Sequence, residues 1–250
     1  MNAKELKYLQ SRKPHWNIKL PPVPTSMKNY ERQIVYGTLL GDGSTQWRRE
    51  RGMKSNEAFR DGPHCKGQEG LLIWEKMLLH RFNPVIGSYN NTFVLITSAC
   101  PIFTIVGHNW YDRYKNGEYK LEPFGKNGRM KRIKILPENV LDYLGPLGLA
   151  KWYMDDGHYY SDSRCKSVHL TLAIDNFTIK EDHRIKDWFQ DKWHIETTLQ
   201  KTKDEQRKQL YITTEDTPKF LALVKPYVKQ VPCMDYKLGI DNKNADITMF

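Results

Sequence analysis

The sequence predicts an α+β protein of two αββαββα repeats, related by a pseudo-twofold axis, with their antiparallel sheets side by side as a saddle. Two observations lead there. One pattern occurs twice, as Val35-Tyr36-Gly37-Thr38-Leu39-Leu40-Gly41-Asp42-Gly43 and as Leu149-Ala150-Lys151-Trp152-Tyr153-Met154-Asp155-Asp156-Gly157. Val35, Leu39 and Asp42 in one copy, and Leu149, Tyr153 and Asp156 in the other, fall at i, i+4, i+7 and so share a helical face. Each copy is then followed by the same succession of strand and helix patterns, and the separation of Asp42 from Asp156 fits one such unit each.

Each pattern reads as a helix whose last turn carries the aspartate and whose following glycine, Gly43 or Gly157, supplies a left-handed stop. A carboxylate at a helix C-terminus faces the negative end of the macrodipole and costs about 0.3–1 kcal/mol unless a cation sits beside it. Meeting that cost twice predicts that the two helix ends together hold a metal ion. Asp-Gly is also a common turn dipeptide, and for one copy alone a plain helix stop is the better reading. The repetition shifts the balance. Gly37 and Gly41, four apart on the first helix, would let a second helix approach closely and bring both carboxylates to one end of the pair.

The elements follow in order. Residues 1–27, with a basic start and the run Pro21-Pro22-Val23-Pro24, form an N-terminal arm that is either a loose tail or lies along nucleic acid. The first repeat, 28–114, opens with a helix over 29–42. It continues with a strand after Gly43, a strand within 55–66, a helix over 69–80 with Leu71, Trp74 and Leu78 inward, strands at 84–90 and 90–99, and a helix from Pro101 towards Tyr114. Residues 115–145 are rich in Gly, Lys and Arg and lack periodicity over 115–133, which reads as a basic linker. In the second repeat, 146–250, Pro146 occupies a first helical position and the helix runs to Asp156. Strands are expected at 157–161, 167–174, 194–201 and 207–213, helices at 178–193 and 215–224, and a last short helix at 231–238.

Net charge narrows the partner. At 250 residues, 29.5 kDa, +10 and pI near 9.3, the chain carries the surplus of Lys and Arg expected of a nucleic-acid binder. No apolar run approaches the roughly 18–20 residues of a spanning helix, so a membrane is not expected. Cys65, Cys100, Cys165 and Cys233 are scattered, which argues against a zinc site or a disulfide framework. The start lacks a signal-peptide core, so an intracellular setting is expected, in a bacterial or phage-host cytoplasm or an organelle matrix.

If the repeats pack through their first helices, one face of each sheet is left free, and a strand pair with polar alternation can enter a DNA major groove. The alternation offers Ser44, Gln46 and Arg48 in the first half, and His158, Tyr160, His169, Thr171, Lys201 and Lys203 in the second; for each, an ordinary solvated strand residue is an equal reading. The halves differ at almost every strand position, so an asymmetric target is expected of a monomer.

The two motifs resemble those of the LAGLIDADG homing endonucleases, in the single-chain form with two motifs. Gly37 and Asp42-Gly43 match the first motif, and Trp152-Tyr153-Met154-Asp155-Asp156-Gly157 is similar to the second motif of group I intron-encoded members. Lys134-Ile135-Leu136-Pro137 and Lys225-Pro226-Tyr227 with Met234-Asp235-Tyr236-Lys237-Leu238 extend the likeness over most of residues 30–240. The resemblance implies cleavage of a long double-stranded DNA site with short 3′ overhangs. It implies that Asp42 and Asp156 are catalytic and bind Mg²⁺, or Mn²⁺ in its place, that Gly41 and Asp155 support the metal, and that Lys134 and Lys237 are active-site lysines. A non-catalytic maturase that helps a group I intron RNA to splice is the chief rival. Retention of both aspartates and both lysines favours cleavage.

Overall fold

The computed structural model describes residues 22–47, 56–89, 91–124, 128–162, 167–201 and 208–240. Among the described residues the first element is α1 (Asn29–Leu40), whose first turn is closed by the Lys28 amide donating to Glu31 Oε2 at 2.6 Å. It continues through β1 (Ser44–Trp47), β2 (Glu57–Cys65), α2 (Glu69–Leu78), β3 (Val85–Tyr89), β4 (Thr92–Ile96) and α3 (Pro101–Trp110). The second half repeats this with α4 (Pro146–Asp156), β7 (Gly157–Asp162), β8 (Ser167–Ala173), α5 (Ile179–Trp193), β9 (Thr197–Lys201), β10 (Lys208–Ile212) and α6 (Thr217–Val228). A 3-10 turn, Pro232–Leu238, follows. Both sheets are antiparallel and share one strand order, β1-β2-β4-β3 and β7-β8-β10-β9. The expected αββαββα duplication is therefore the architecture.

Helices cover one face of each sheet because the strands alternate. Leu170 and Leu172 of β8 are buried with Leu210 and Ile212 of β10, whereas His169, Thr171 and Tyr211 stay partly accessible. In the first half Phe59 of β2 stacks on Phe103 of α3, ring centroids 5.7 Å apart, and Phe103 also meets Phe82. In the second half Tyr153 meets Phe220 edge-on at 5.1 Å, and Trp152 and Phe189 fill the space beneath α5. The two cores are continuous through α1 and α4, which pack along each other.

That pairing uses glycines on both helices. A Cβ on Gly37 would strike the Gly148 carbonyl and lie 3.1 Å from Lys151 Cβ, and one on Gly41 would lie 2.8 Å from Asp155 Cβ. Gly37 and Gly41 thus allow the approach, as the sequence suggests, with Gly148 as their counterpart on α4. The motif glycines act differently from expectation. Gly157 has φ −76° and Gly43 is absent from the positive-φ glycines, so neither is a left-handed stop. They are needed because β1 and β7 leave the helix ends too tightly for a side chain: a Cβ on Gly43 would lie 2.7 Å from the Thr38 carbonyl oxygen, and one on Gly157 would overlap the Tyr153 ring.

Three other expectations change. The stretch read as a linker contains a hairpin, β5 (Leu121–Phe124) with β6 (Arg129–Arg132), and isolated bridges pair Tyr111 with Lys134 and Arg113 with Tyr119. The hairpin is fixed by Arg132, which reaches both oxygens of buried Glu57 at 3.1–3.2 Å and lies 4.0 Å over the Tyr119 ring. These partners are far away in sequence, so local periodicity carries no trace of them. α3 stops at Trp110 because residues 111–113 join that extension. α6 runs past its expected end to Val228 with Pro226 inside; both Pro226 and Ala222, one turn earlier, are exposed, so the carbonyl left without a partner faces water. Among the described residues no helix is long and apolar enough to cross a membrane.

Candidate active site and nucleic-acid face

The two helix ends abut. Asp42 lies in the turn after α1 and is exposed; Asp156 is the last residue of α4 and is half-buried. A Cβ on Gly41 would come within 3.4 Å of Asp156 Oδ2, which sets Asp156 beside the residue preceding Asp42. Burial first and then repulsion from Asp42 raise the Asp156 carboxyl to about 7, while Lys134 and Lys237 pull the other way. Among the described residues, neither carboxylate has a hydrogen bond or ion pair.

Two lysines approach this pair, one at each helix end. Lys134 is delivered by the bridge to Tyr111, and its Nζ donates to the Gly41 carbonyl at 2.8 Å. Desolvation lowers it to about 8 despite the pull of Asp156 and Asp42. Lys237, on the 3-10 turn, is buried; its Nζ donates to the Gly157 carbonyl, and its own carbonyl accepts from Tyr153 Oη at 2.6 Å. Burial lowers its pKa, against Asp155, Asp156 and Asp42. The sequence-derived set Asp42, Asp156, Lys134 and Lys237 is thus brought to one place.

The free sheet faces flank it. Antiparallel register pairs Ser44 with Arg60 and Gln46 with Ala58; Ser44, Gln46 and Arg60 are partly accessible, opposite in parity to buried Thr45 and Phe59, while Ala58 is itself buried. In the second sheet His158, Thr171, Tyr211 and Thr198 form one row across four strands, and Tyr160 pairs with His169. His169 Nδ1 and Tyr211 Oη are 2.9 Å apart. Lys201 does not share this face: it pairs with Lys208 and has the parity of Leu199 and Thr197, which the alternation at a strand end did not reveal. Arg48 and Lys203 lie outside the described residues. Arg60, Tyr211, Thr198, Gln200 and Gln209 share the parity of the free faces without a signal of their own in the sequence; the register pairs Arg60 with Ser44 and Tyr211 with Thr171, and Thr198 with Tyr211.

A profile of the LAGLIDADG DNA endonuclease family matches residues 32–220. The chain belongs to that family. Over 213 residues it is 30% identical to cytochrome b mRNA maturase bI2 of Debaryomyces hansenii, covering 83% of this chain and 72% of that one. It is 32% identical over 127 residues to the intron-encoded endonuclease ai4 of Dictyostelium discoideum, covering 51% and 73% of the two chains. It spans about half or less of other relatives it matches. The homing endonuclease I-WcaI, solved bound to its DNA recognition sequence, has the same fold, with TM-score 0.66, 18% identity and 95% and 93% coverage.

For a LAGLIDADG chain the donor set at the helix ends fits a divalent ion. Asp42 and Asp156 offer carboxylate oxygens without a hydrogen-bond partner among the described residues, and burial followed by repulsion from Asp42 raises the Asp156 carboxyl. The carbonyl of Gly41, expected to support the metal, accepts from Lys134 Nζ. Asp155, also expected to support it, gives both oxygens to Lys151 Nζ at 2.7 and 2.9 Å.

Lys151 is the least foreseen residue of the LAGLIDADG core. It is wholly buried and reaches from α4 to Asp61 of β2 at 2.8 Å and to Glu75 of α2 at 3.8 Å. His64 Nε2 lies 3.0 Å from the other Asp61 oxygen. Asp61, His64 and Asp155 have ligand atoms within 4.8 Å of one another, a spacing that could hold a metal ion; here the Lys151 ammonium pairs with both carboxylates. The surrounding acids hold Lys151 protonated, its pKa well above the usual value against desolvation. Burial and Asp61 drive Glu75 well above the usual carboxylate range, and burial pushes the Asp155 carboxyl up while the Lys151 ammonium pulls it down. The unusual lysine was visible in the sequence; its partners, 90 residues away in the case of Asp61, were not.

Proposed function

We propose that this chain is a homing endonuclease that cuts one long asymmetric double-stranded DNA site by Mg²⁺-dependent phosphodiester hydrolysis, leaving short 3′ overhangs. The observation that carries the reading is the meeting of Asp42 and Asp156, without direct partners among the described residues, between Lys134 and Lys237 and between two sheets with polar free faces. The DNA-bound relative of the same fold supports the choice of nucleic acid.

Asp42 and Asp156 would hold divalent ions, which supply Lewis acidity and activated water. The chain's own groups do the rest. Each aspartate orients the attack on one strand, and the two lysines offset charge that develops on the phosphate oxygens. Neither lysine needs to take a proton for that role. The free faces seat the two arms of the target in successive major grooves, with His158, Tyr160, His169, Thr171, Ser44 and Gln46 towards the bases. We read residues 28–114 and 146–250 as the two repeats, joined by 115–145, and the active form as a monomer.

A second reading has its own support: the relative named as an mRNA maturase matches most of this chain. In that reading the basic saddle binds a group I intron RNA, and an organelle matrix is the expected setting. Cleavage of a randomised duplex library in Mg²⁺ by wild type, Asp42→Asn and Asp156→Asn separates them. One long site, cut with 3′ overhangs and spared by either variant while binding persists, supports the endonuclease. Tight intron RNA binding by all three proteins with no DNA cut refutes it in favour of the maturase.

A further inference from the structure

Asp155 and Asp156 are adjacent acids at one helix end, yet their surroundings differ completely. Asp156 has no ion-pair partner among the described residues, while both Asp155 oxygens rest on the Lys151 ammonium. Lys151 stands one turn earlier on α4, with its Cβ against Gly37 at the closest approach of the two helices. Its side chain then crosses into the first half, where Asp61 accepts from it. Asp61 is held from behind by His64, and Glu75 by Thr38 Oγ1 at 3.3 Å.

Among the described residues nothing similar exists on the other side of the pseudo-twofold axis. Gly41 stands where Asp155 does, and Gly37 where Lys151 does. Since Ser44 pairs with Arg60 as His158 pairs with Thr171, Asp61 corresponds to Leu172, a buried apolar residue. Without Lys151 the helix pair would end in three carboxylates, Asp42, Asp155 and Asp156. A buried ammonium is costly unless its partners are well placed. Here it is bound by two carboxylates from different halves, one of them next to the candidate metal ligand.

We infer that Lys151 is a positioning residue that withdraws Asp155 from the Asp42–Asp156 pair, so that the helix ends offer a divalent ion one carboxylate from each half. The inference rests on the proposed metal-dependent reading of that pair. With Lys151 replaced by an uncharged residue of similar length, Asp155 loses the cation that both its oxygens contact, and the site gains a third acid. The ion is then held more tightly and less productively.

Mn²⁺ binding to the full chain, followed by the electron paramagnetic resonance of free Mn²⁺, tests this alongside DNA cleavage. Lys151→Met is expected to bind Mn²⁺ about tenfold tighter and to cut more slowly, the opposite of what damaged packing would do to affinity. Lys151→Met/Asp155→Asn returns the affinity to the wild-type value, and Asp155→Asn alone stays within about threefold of it, while Asp156→Asn weakens it more than about tenfold. The inference is overturned if Asp155→Asn weakens binding as Asp156→Asn does, or if folded Lys151→Met binds no tighter than wild type. Should Lys151→Met not fold, Asp155→Asn, which keeps the Lys151–Asp61 pair, decides the matter alone. The two readings fail separately. Mn²⁺ binding that ignores Asp156→Asn removes the metal role of the pair and this inference with it. A metal-dependent nuclease in which Asp155→Asn weakens Mn²⁺ binding keeps the proposed function and loses only the role of Lys151.

Discussion

Gly37 of α1 lies directly against the carbonyl of Gly148 in α4, with no room for a methyl group between the helices. Gly37→Ala therefore destabilises although alanine is the better helix former. The expected loss is about 1–3 kcal/mol, the usual cost of overpacking. Gly67→Ala, where an added Cβ meets nothing within 4 Å, is the matched control. Equal urea midpoints for the two variants would show that the helices separate freely.

The Asp156 carboxyl is raised from 3.8 to about 7. A group that binds its proton more tightly folded than unfolded lowers stability as pH rises through that interval, and the loss is complete above 7. Asp156→Asn is thus expected to stabilise the metal-free protein at pH 8 by on the order of 2 kcal/mol, about 4–8 °C in Tm, and to do little at pH 4. Scanning calorimetry at both pH values checks it; an equal effect at both would remove the electrostatic cause.

Lys134 is lowered to about 8 by desolvation. As an ammonium that offsets phosphate charge, it loses its effect as pH passes 8, so cleavage should decline on the alkaline side. Lys134→Arg, which stays charged, should carry that decline to higher pH, and Lys134→Met should cut at least about tenfold more slowly at pH 7. An unchanged alkaline limb in Lys134→Arg would mean that another group sets it.

Thr171 and Lys201 neighbour the same strands but leave the sheet on opposite sides. Selection from single-base variants of the target should show Thr171→Ala relaxing preference at one or two base pairs by about 1–3 kcal/mol, and Lys201→Ala leaving the preference profile unchanged. The reverse result would exchange their assignments.

The architecture was legible in the chain because it depends on short periods. The i, i+4, i+7 spacing before Asp42 and Asp156 marked α1 and α4, and the alternation around Leu170 and Leu172 marked β8. The candidate site was legible where a residue carries its own signal, as with an acid at a helix end. What stayed hidden depends on distant partners. The β5–β6 hairpin is anchored by Arg132 on Glu57, and Lys151 acquires meaning only from Asp61 and Glu75. Gly157 was read as a left-handed stop because sequence conveys the residue type but not the crowding by Tyr153 that requires it.

The position of Lys237 has a consequence for synthesis. It comes from a turn held under α4 by the Tyr153 hydroxyl, and it enters the chain well after both motif aspartates. A ribosome-bound polypeptide that already displays Asp42, Asp156 and Lys134 still lacks this cation. In the proposed mechanism, competence to break DNA arrives only once the turn that carries Lys237 has been made and docked under α4.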